Sequence, residues 1–371
     1  MAAWTVTAGE GPGKAIAWLA ETILASGRAE AVLMPLELPS GRAVVPVLVK
    51  QADLLQRARP LAPLAMGNAA SLLTGVGRRK GAGPVAAVLR PCEVKAAVEL
   101  IKLKQIEPGA VVLLEADCLG TVPAQAYRQL IPDWTAWEAA IAAGAPPLPM
   151  DQLRPACRAC VGPSGLDGRE GNVAALRLRV AGSPTGTLCV TANPAGSDWL
   201  AGLEGLTLTD RLPADPFPGL STQRAAAWQQ QRQGVKGLSA GINALMDEFS
   251  ICLRCANCRR ACPICYCREC VFDGPTFRPE PDALLKRAGR KGGLVLPTDI
   301  MLFHLTRLNH MALSCVGCGQ CEAACPQGLP VATMFRGLGE KTRALFGYES
   351  GRDPAEPLPF TVFKEAELEP R

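Results

Sequence analysis

Histidine is nearly missing from this chain: its 371 residues include two, His304 and His310. That leaves little room for histidine-based catalysis. Aromatic residues are scarce at 5%, and no dense basic tract alternates with them, which argues against nucleic acid as a partner. No apolar run reaches the roughly 18 residues that a membrane span needs. Residues 1–13 lack a basic segment followed by an apolar core, so no secretory signal is read. No G-x-G-x-x-G follows a predicted strand, so nothing in the residues independently supports nucleotide binding. The net charge of +5 is mild.

What the chain does have is cysteine, sixteen in all. Without a secretory signal, that number implies metal ligation in a reducing compartment rather than disulfides, and the cytoplasm is the expected location. Two runs share one spacing: Cys252-x-x-Cys255-x-x-Cys258-x-x-x-Cys262-Pro263 and Cys315-x-x-Cys318-x-x-Cys321-x-x-x-Cys325-Pro326. Two copies, each ending in Cys-Pro, match the pattern of a bacterial-type ferredoxin with two 4Fe-4S clusters. Three cysteines at intervals of three wrap one cubane, and the fourth of each run ligates the other cluster. The assignment is therefore crossed: Cys252, Cys255, Cys258 and Cys325 for one cluster, and Cys315, Cys318, Cys321 and Cys262 for the other. Gly317 and Gly319 suit a close approach of backbone to sulfide. A pair of zinc sites is the competing reading, but zinc sites usually use two ligand pairs rather than four cysteines in one run.

The rest of the chain reads as α/β. Residues 14–26 have helical spacing. Residues 31–36 and 43–49 form a predicted hairpin, and 65–83 look partly irregular. Strand 85–89, a helix from Pro91 and strand 110–115 make a parallel crossover unit. Residues 173–180 and 186–192 add strands. The expected fold is an α/β N-terminal domain with a parallel-type sheet, plus a small α+β bacterial-type two-cluster ferredoxin domain. The boundaries are 1–205 for the α/β domain, 206–249 for a linker and helical junction, and 250–346 for the ferredoxin domain with an insertion at 276–311. Residues 347–371 are left as a docking tail. Lys286, Arg287, Arg290 and Lys291 form a basic stretch that is either a solvated face or a steering surface for an acidic redox partner.

Eight cysteines lie outside the duplicated pattern. Cys92 starts a helix after one strand and Cys118 follows the next, so both emerge at the carboxyl edge of the sheet, where such folds hold ligands. With Cys157-x-x-Cys160 they make four thiolates, the number a third 4Fe-4S cluster needs. Alternatively, Cys92 and Cys118 are buried small hydrophobes. Cys189 sits in a predicted strand as core. Cys265, Cys267 and Cys270 either ligate a further centre, tune a cluster or pack. His304 and His310 read as packed or solvated.

Arg90-Pro91-Cys92-Glu93, Cys118-Leu119-Gly120-Thr121 and Cys157-Arg158-Ala159-Cys160 resemble the beta-subunit family of coenzyme F420-reducing hydrogenase and F420-dependent formate dehydrogenase. The run from Cys262 to Cys270 resembles the formate dehydrogenase branch. The resemblance covers about residues 80–190. It implies an α/β flavoprotein with a third 4Fe-4S cluster and FAD, the flavin lying beside the Cys118 turn and the 157–172 loop. Gly120, Thr121, Gly162, Ser164 and Asn172 would contact it, with Gly165, Gly168 and Gly171 allowing backbone approach. The implied function is an iron–sulfur flavoprotein subunit of an oxidoreductase complex. Its partners would be hydrogenase, formate dehydrogenase or heterodisulfide-reductase-like subunits, and its soluble carrier a deazaflavin or nicotinamide. The alternative is an electron-wiring subunit with clusters only and no flavin.

Overall fold

The computed structural model describes residues 2–7, 11–76, 83–130, 133–160, 173–180, 187–209, 219–235, 240–274, 277, 280–293 and 300–363. Its strands are β1 (Ala2–Thr7), β2 (Ala31–Glu37), β3 (Val44–Val49), β4 (Val85–Leu89), β5 (Val111–Ala116), β6 (Ala175–Arg179), β7 (Thr187–Ala192) and β8 (Thr207–Leu208). They form one sheet in the order β3-β2-β4-β5-β6-β7-β1-β8.

Every residue of β4 and β5 is buried. Continuous apolar runs such as VAAVL are what central parallel strands covered on both faces require. β2, β4, β5 and β6 run parallel. The sheet is nevertheless mixed, which corrects the parallel-type expectation: β3 on one side and β7, β1 and β8 on the other are antiparallel. The reason is connection length. The link from Arg179 to Thr187 is shorter than the dozen or so residues that a parallel return needs. β1, which carries no strong sequence signal, enters between β7 and β8.

Alternate strand residues divide between two cores. One face packs on the helix Pro12–Ala25 through Ile16, Leu19 and Ile23. The other packs on the helix Pro91–Lys102 through Val94, Val98 and Ile101. That second core also takes in Leu245, Phe249, Met311, Val331, Met334 and Phe335. The cysteine-rich half thus shares a hydrophobic core with the sheet.

Among the described residues of 250–346 the regular elements are helical: Asn257–Arg260, Pro281–Lys291, Ile300–Met311, Gln320–Ala323 and Val331–Phe346, with a 3-10 turn at Val271–Asp273. The strands of the expected α+β module have no counterpart among them. Within the stretch read as irregular stands the helix Ala70–Val76, where Asn68 Oδ1 accepts from Ala70 N at 3.1 Å. Residues 348–356 fold back onto the helix Pro91–Lys102. Tyr348 Oη donates to Glu99 Oε1 at 2.6 Å, and Gly351 N donates to the same oxygen at 2.6 Å. No described helix is long and apolar enough to cross a membrane.

Candidate metal centres

The two CxxCxxC loops share a backbone. Gly317 and Gly319 have φ of 67° and 70°, and the equivalent Arg254 and Ala256 have 55° and 57°. These left-handed residues coil each loop tightly, and in the first loop the conformation is held without glycine. Each loop runs into a one-turn helix, Asn257–Arg260 or Gln320–Ala323, and the two turns pack together.

The fold groups the cysteines in two sets that cross between the runs. Cys252 is within electrostatic reach of Cys325 and Cys255, and Cys258 of all three. Cys262 in turn lies near Cys321 and Cys318, which sit with Cys315. A cavity lined by Cys262, Cys315, Cys318 and Cys321 lies at the centre of the second set.

The N-terminal four lie on neighbouring elements. Pro91 opens the helix that carries Cys92, and Glu93 closes a capping box by accepting from Arg90 N at 2.8 Å. Cys118 follows the neighbouring parallel strand β5. Gly120, at φ 114°, lets the 118–121 turn approach Cys157: a Cβ there would lie 2.8 Å from Leu153 Cδ1 and 3.4 Å from Cys157 Cβ. Cys92 feels Cys118 and Cys160, and Cys118 feels Cys157. Cys92 also feels Cys318, so this group adjoins the second set.

Buried arginines fill the spaces between sets. Arg154 Nε donates to Thr121 Oγ1 at 2.7 Å, and its charge acts on Cys157, Cys92 and Cys318. Arg336 Nη1 donates to Ala159 O at 2.5 Å and stacks 3.7 Å over Trp228. Arg307 Nη1 donates to Cys258 Sγ at 3.0 Å and Nη2 to Cys258 O at 3.1 Å. The helix Leu220–Gly234 secures the N-terminal group from outside. Its Arg224 donates to Leu119 O at 2.9 Å and its Gln231 to Pro155 O at 2.9 Å. Spacing rules single out none of these residues, because an arginine that folds inward looks the same in sequence as one that faces water.

Burial pushes the Cys92 thiol well up, reinforced by Glu93 and the neighbouring cysteines, and Cys118 up to about 11. Burial also opposes ionisation of Cys157, but Arg154 and hydrogen bonding to Thr121 overcome it and hold that thiol below its ordinary value. His304 is driven down to about 3 by burial and then by Arg307, so its imidazole is neutral. Clustered thiols that resist ionisation find their compensating charge in a metal, whose binding releases their protons.

Among the described residues no group of three or more His, Cys, Asp or Glu is arranged to hold one metal ion. Cys252, Cys255, Cys258 and Cys325, then Cys262, Cys315, Cys318 and Cys321, then Cys92, Cys118, Cys157 and Cys160 would hold 4Fe-4S groups.

Of the residues expected beside a flavin, Gly120 and Thr121 are described and the others are not. Thr121 is 1% exposed and its hydroxyl meets Cys157 Sγ at 3.3 Å as well as Arg154. Gly120 packs on Leu153 and Cys157. Gly162, Ser164 and Asn172, with Gly165, Gly168 and Gly171, lie outside the described residues. Cys189 is core within β7. Cys265 Sγ lies 3.8 Å from Met311 Sδ, Cys267 is exposed, and Cys270 packs against the cluster of Ala256, Cys258, Phe272 and Phe303. His304 is buried and stacked on Phe249 at 3.8 Å, while His310 is exposed.

Parts of this chain are similar to known proteins. Residues 248–329 match a family described as a 4Fe-4S dicluster domain. The chain is 35% identical over 111 residues to the beta subunit of F420-dependent formate dehydrogenase from Methanocaldococcus jannaschii, covering 30% of this chain and 26% of that protein. It is 29% identical over 110 residues to the beta subunit of F420-dependent formate dehydrogenase 1 from Methanococcus maripaludis, covering 30% and 25%. The chain therefore spans about a quarter of the length of these curated relatives. A solved chain of the xenon-derivatised F420-reducing [NiFe] hydrogenase complex from Methanosarcina barkeri aligns with a TM-score of 0.48 at 15% identity. It covers 66% of this chain and 94% of the other. The resemblance read from the cysteine motifs is borne out by the two formate dehydrogenase beta subunits, which belong to oxidoreductases.

Proposed function

We propose that this chain is an electron-transfer subunit in which three 4Fe-4S sites form one line. The order is Cys92/Cys118/Cys157/Cys160, then Cys262/Cys315/Cys318/Cys321, then Cys252/Cys255/Cys258/Cys325. The observation that carries this reading is geometric. One cavity is lined by Cys92, Cys160 and Cys315, a second by Cys262, Cys315, Cys318, Cys321 and Arg307, and Arg307 donates to Cys258 Sγ at 3.0 Å. When bound, the clusters supply one-electron transfer. The chain's part is to hold the twelve thiols, exclude water and offset their charge with Arg154, Arg307 and Arg336.

The partners would be redox subunits of a formate dehydrogenase or hydrogenase-type complex, by analogy with the named relatives. The helix Pro281–Lys291 suits such a contact. It has no buried residue, and Leu285 stands 70% exposed beside Lys286, Arg287, Arg290 and Lys291.

Anaerobic iron analysis tests the three-site reading. It expects about 12 irons per chain, falling to about 8 in Cys157→Ser. A wild-type value near 8, unmoved by Cys157→Ser, overturns the third site.

FAD in the α/β domain is the further step, supported by the family resemblance; it would link a two-electron carrier to the clusters. The engagement of Thr121 by Arg154 and Cys157 favours the second reading, a subunit with clusters and no flavin. Acid extraction separates them, because released FAD is soluble and yellow.

A further inference from the structure

We propose that the helix Ile300–Met311 raises the reduction potential of one cluster through hydrogen bonds from His304 and Arg307 to its thiolates. The inference rests on the reading that Cys252, Cys255, Cys258 and Cys325 hold a 4Fe-4S cluster.

One face of this helix is buried: Phe303, His304, Arg307 and Met311. Each of the last three meets sulfur. His304 Nε2 lies 3.3 Å from Cys252 Sγ, Arg307 Nη1 lies 3.0 Å from Cys258 Sγ, and Met311 Sδ lies 3.8 Å from Cys262 Sγ. A two-cluster ferredoxin needs only the cysteine runs and their turns. This helix belongs to the segment between the runs, and its inward face is spent on the sulfur sites.

The tautomer of His304 follows from its surroundings. Its Nδ1 is buried with no hydrogen-bond partner among the described residues. A proton there would be an unsatisfied buried donor, which is costly. We therefore assign the proton to Nε2, the ring nitrogen with a partner among the described residues, where it points at Cys252 Sγ. The ring is fixed by stacking on Phe249 at 3.8 Å with a 5° tilt, and by the edge contact with Phe303 at 5.0 Å. Arg307 is 2% exposed and lies over Phe303 and Phe335. Arginine stays charged under all ordinary conditions.

Reduction adds one electron, and so one negative charge, to the cluster and its thiolates. An N–H donor or a buried cation stabilises that more negative state over the oxidised one. Potentials of such clusters follow hydrogen bonds to sulfur and net charge. Both effects gain strength where water is excluded. His304 meets a single thiolate of one set. Arg307 meets that set most closely and reaches Cys262 and Cys321 of the next. The pull favours electrons at the end of the line where Cys255 is exposed.

The test uses the full chain with its clusters, titrated potentiometrically and followed by electron paramagnetic resonance. His304→Phe is expected to lower the midpoint of one cluster and leave the others in place. His304→Gln, which keeps an N–H donor, is expected to restore part of the shift. Arg307→Met is expected to lower the same midpoint and, by less, that of the neighbouring cluster. An unmoved midpoint in His304→Phe with full iron, or equal shifts of every cluster, overturns the proposal. Should either variant lose iron, electron–nuclear double resonance on ¹⁵N-histidine-labelled wild type reads the same contact. A histidine nitrogen coupling to one cluster supports it and no coupling overturns it. Cys255→Ser tests the underlying reading separately, because unchanged iron content there removes the cluster itself.

Discussion

A Cβ built on Gly319 would lie 2.2 Å from the Cβ of Ala156. This is where the Cys315–Cys318–Cys321 loop rests on the helix Pro155–Arg158 that carries Cys157. Two glycine properties meet at one atom: a φ of 70°, and the absence of a side chain that would hold the two cysteine groups apart.

Gly319→Ala should therefore destabilise the protein by about 2–4 kcal/mol, combining left-handed strain with overpacking. Gly317→Ala is the control. Its Cβ would meet Arg336 Cδ at 3.4 Å, a flexible neighbour, so the strain alone remains, at about 1–2 kcal/mol. Chemical denaturation of the two variants side by side checks the order, and equal losses would refute the contact argument.

Ala256 holds the matching left-handed position in the first loop, at φ 57°. Ala256→Gly should stabilise the protein by up to about 1 kcal/mol, since the relieved strain exceeds the added freedom of the unfolded chain. A midpoint shift to lower denaturant in Ala256→Gly, with iron content unchanged, would contradict this.

Tyr348 ties residues 347–363 to Glu99, a carboxylate with 0% exposure that also faces Lys102 Nζ at 3.3 Å. Tyr348→Phe removes a hydrogen bond to a buried charge and should cost about 1.5–3 kcal/mol. Hydrogen exchange should accelerate at residues 347–356 ahead of the sheet. Burial, followed by Glu99, pushes the Tyr348 phenol up from its ordinary value. A raised folded-state value means the contribution is complete below the unfolded value of about 10 and is lost only as pH rises beyond it.

Glu138 gives a pH prediction of the same sign in a lower window. Burial raises its carboxyl above the usual range, opposed by the hydrogen bond from Gly13 N, at 2.9 Å to Oε2, and by Arg59 and Lys14. The stability linked to this group is present below about pH 4.3, the unfolded value, and declines as pH rises through the folded value. Glu138→Gln removes the titration. Its stability relative to wild type should therefore improve steadily from acid toward neutral pH, as followed by thermal unfolding at matched ionic strength. A pH-independent difference would contradict the assignment.

The two equal cysteine runs announced the 4Fe-4S dicluster domain at 248–329, because ligand spacing is a local property of a coiled loop. The largely apolar runs at 85–89 and 110–115, and Pro91 after the first, likewise announced the crossover that presents Cys92 and Cys118 at one sheet edge. Strand direction at the margins was decided elsewhere, by connection lengths and by the pairing of β1 with β7 and β8. The surroundings of the sulfur atoms were decided by tertiary structure alone. His304 and Arg307 reach Cys252 and Cys258 from about fifty residues away, and Arg336 reaches Ala159 O from far along the chain, so no spacing ties them to the groups they serve; Arg154 lies three residues from Cys157, but its reach to Cys92 and Cys318 comes from the fold. An inward-facing arginine is favourable only once folding has gathered enough thiols around it to offset its desolvation. That balance exists in the assembled core and has no trace in the order of the residues.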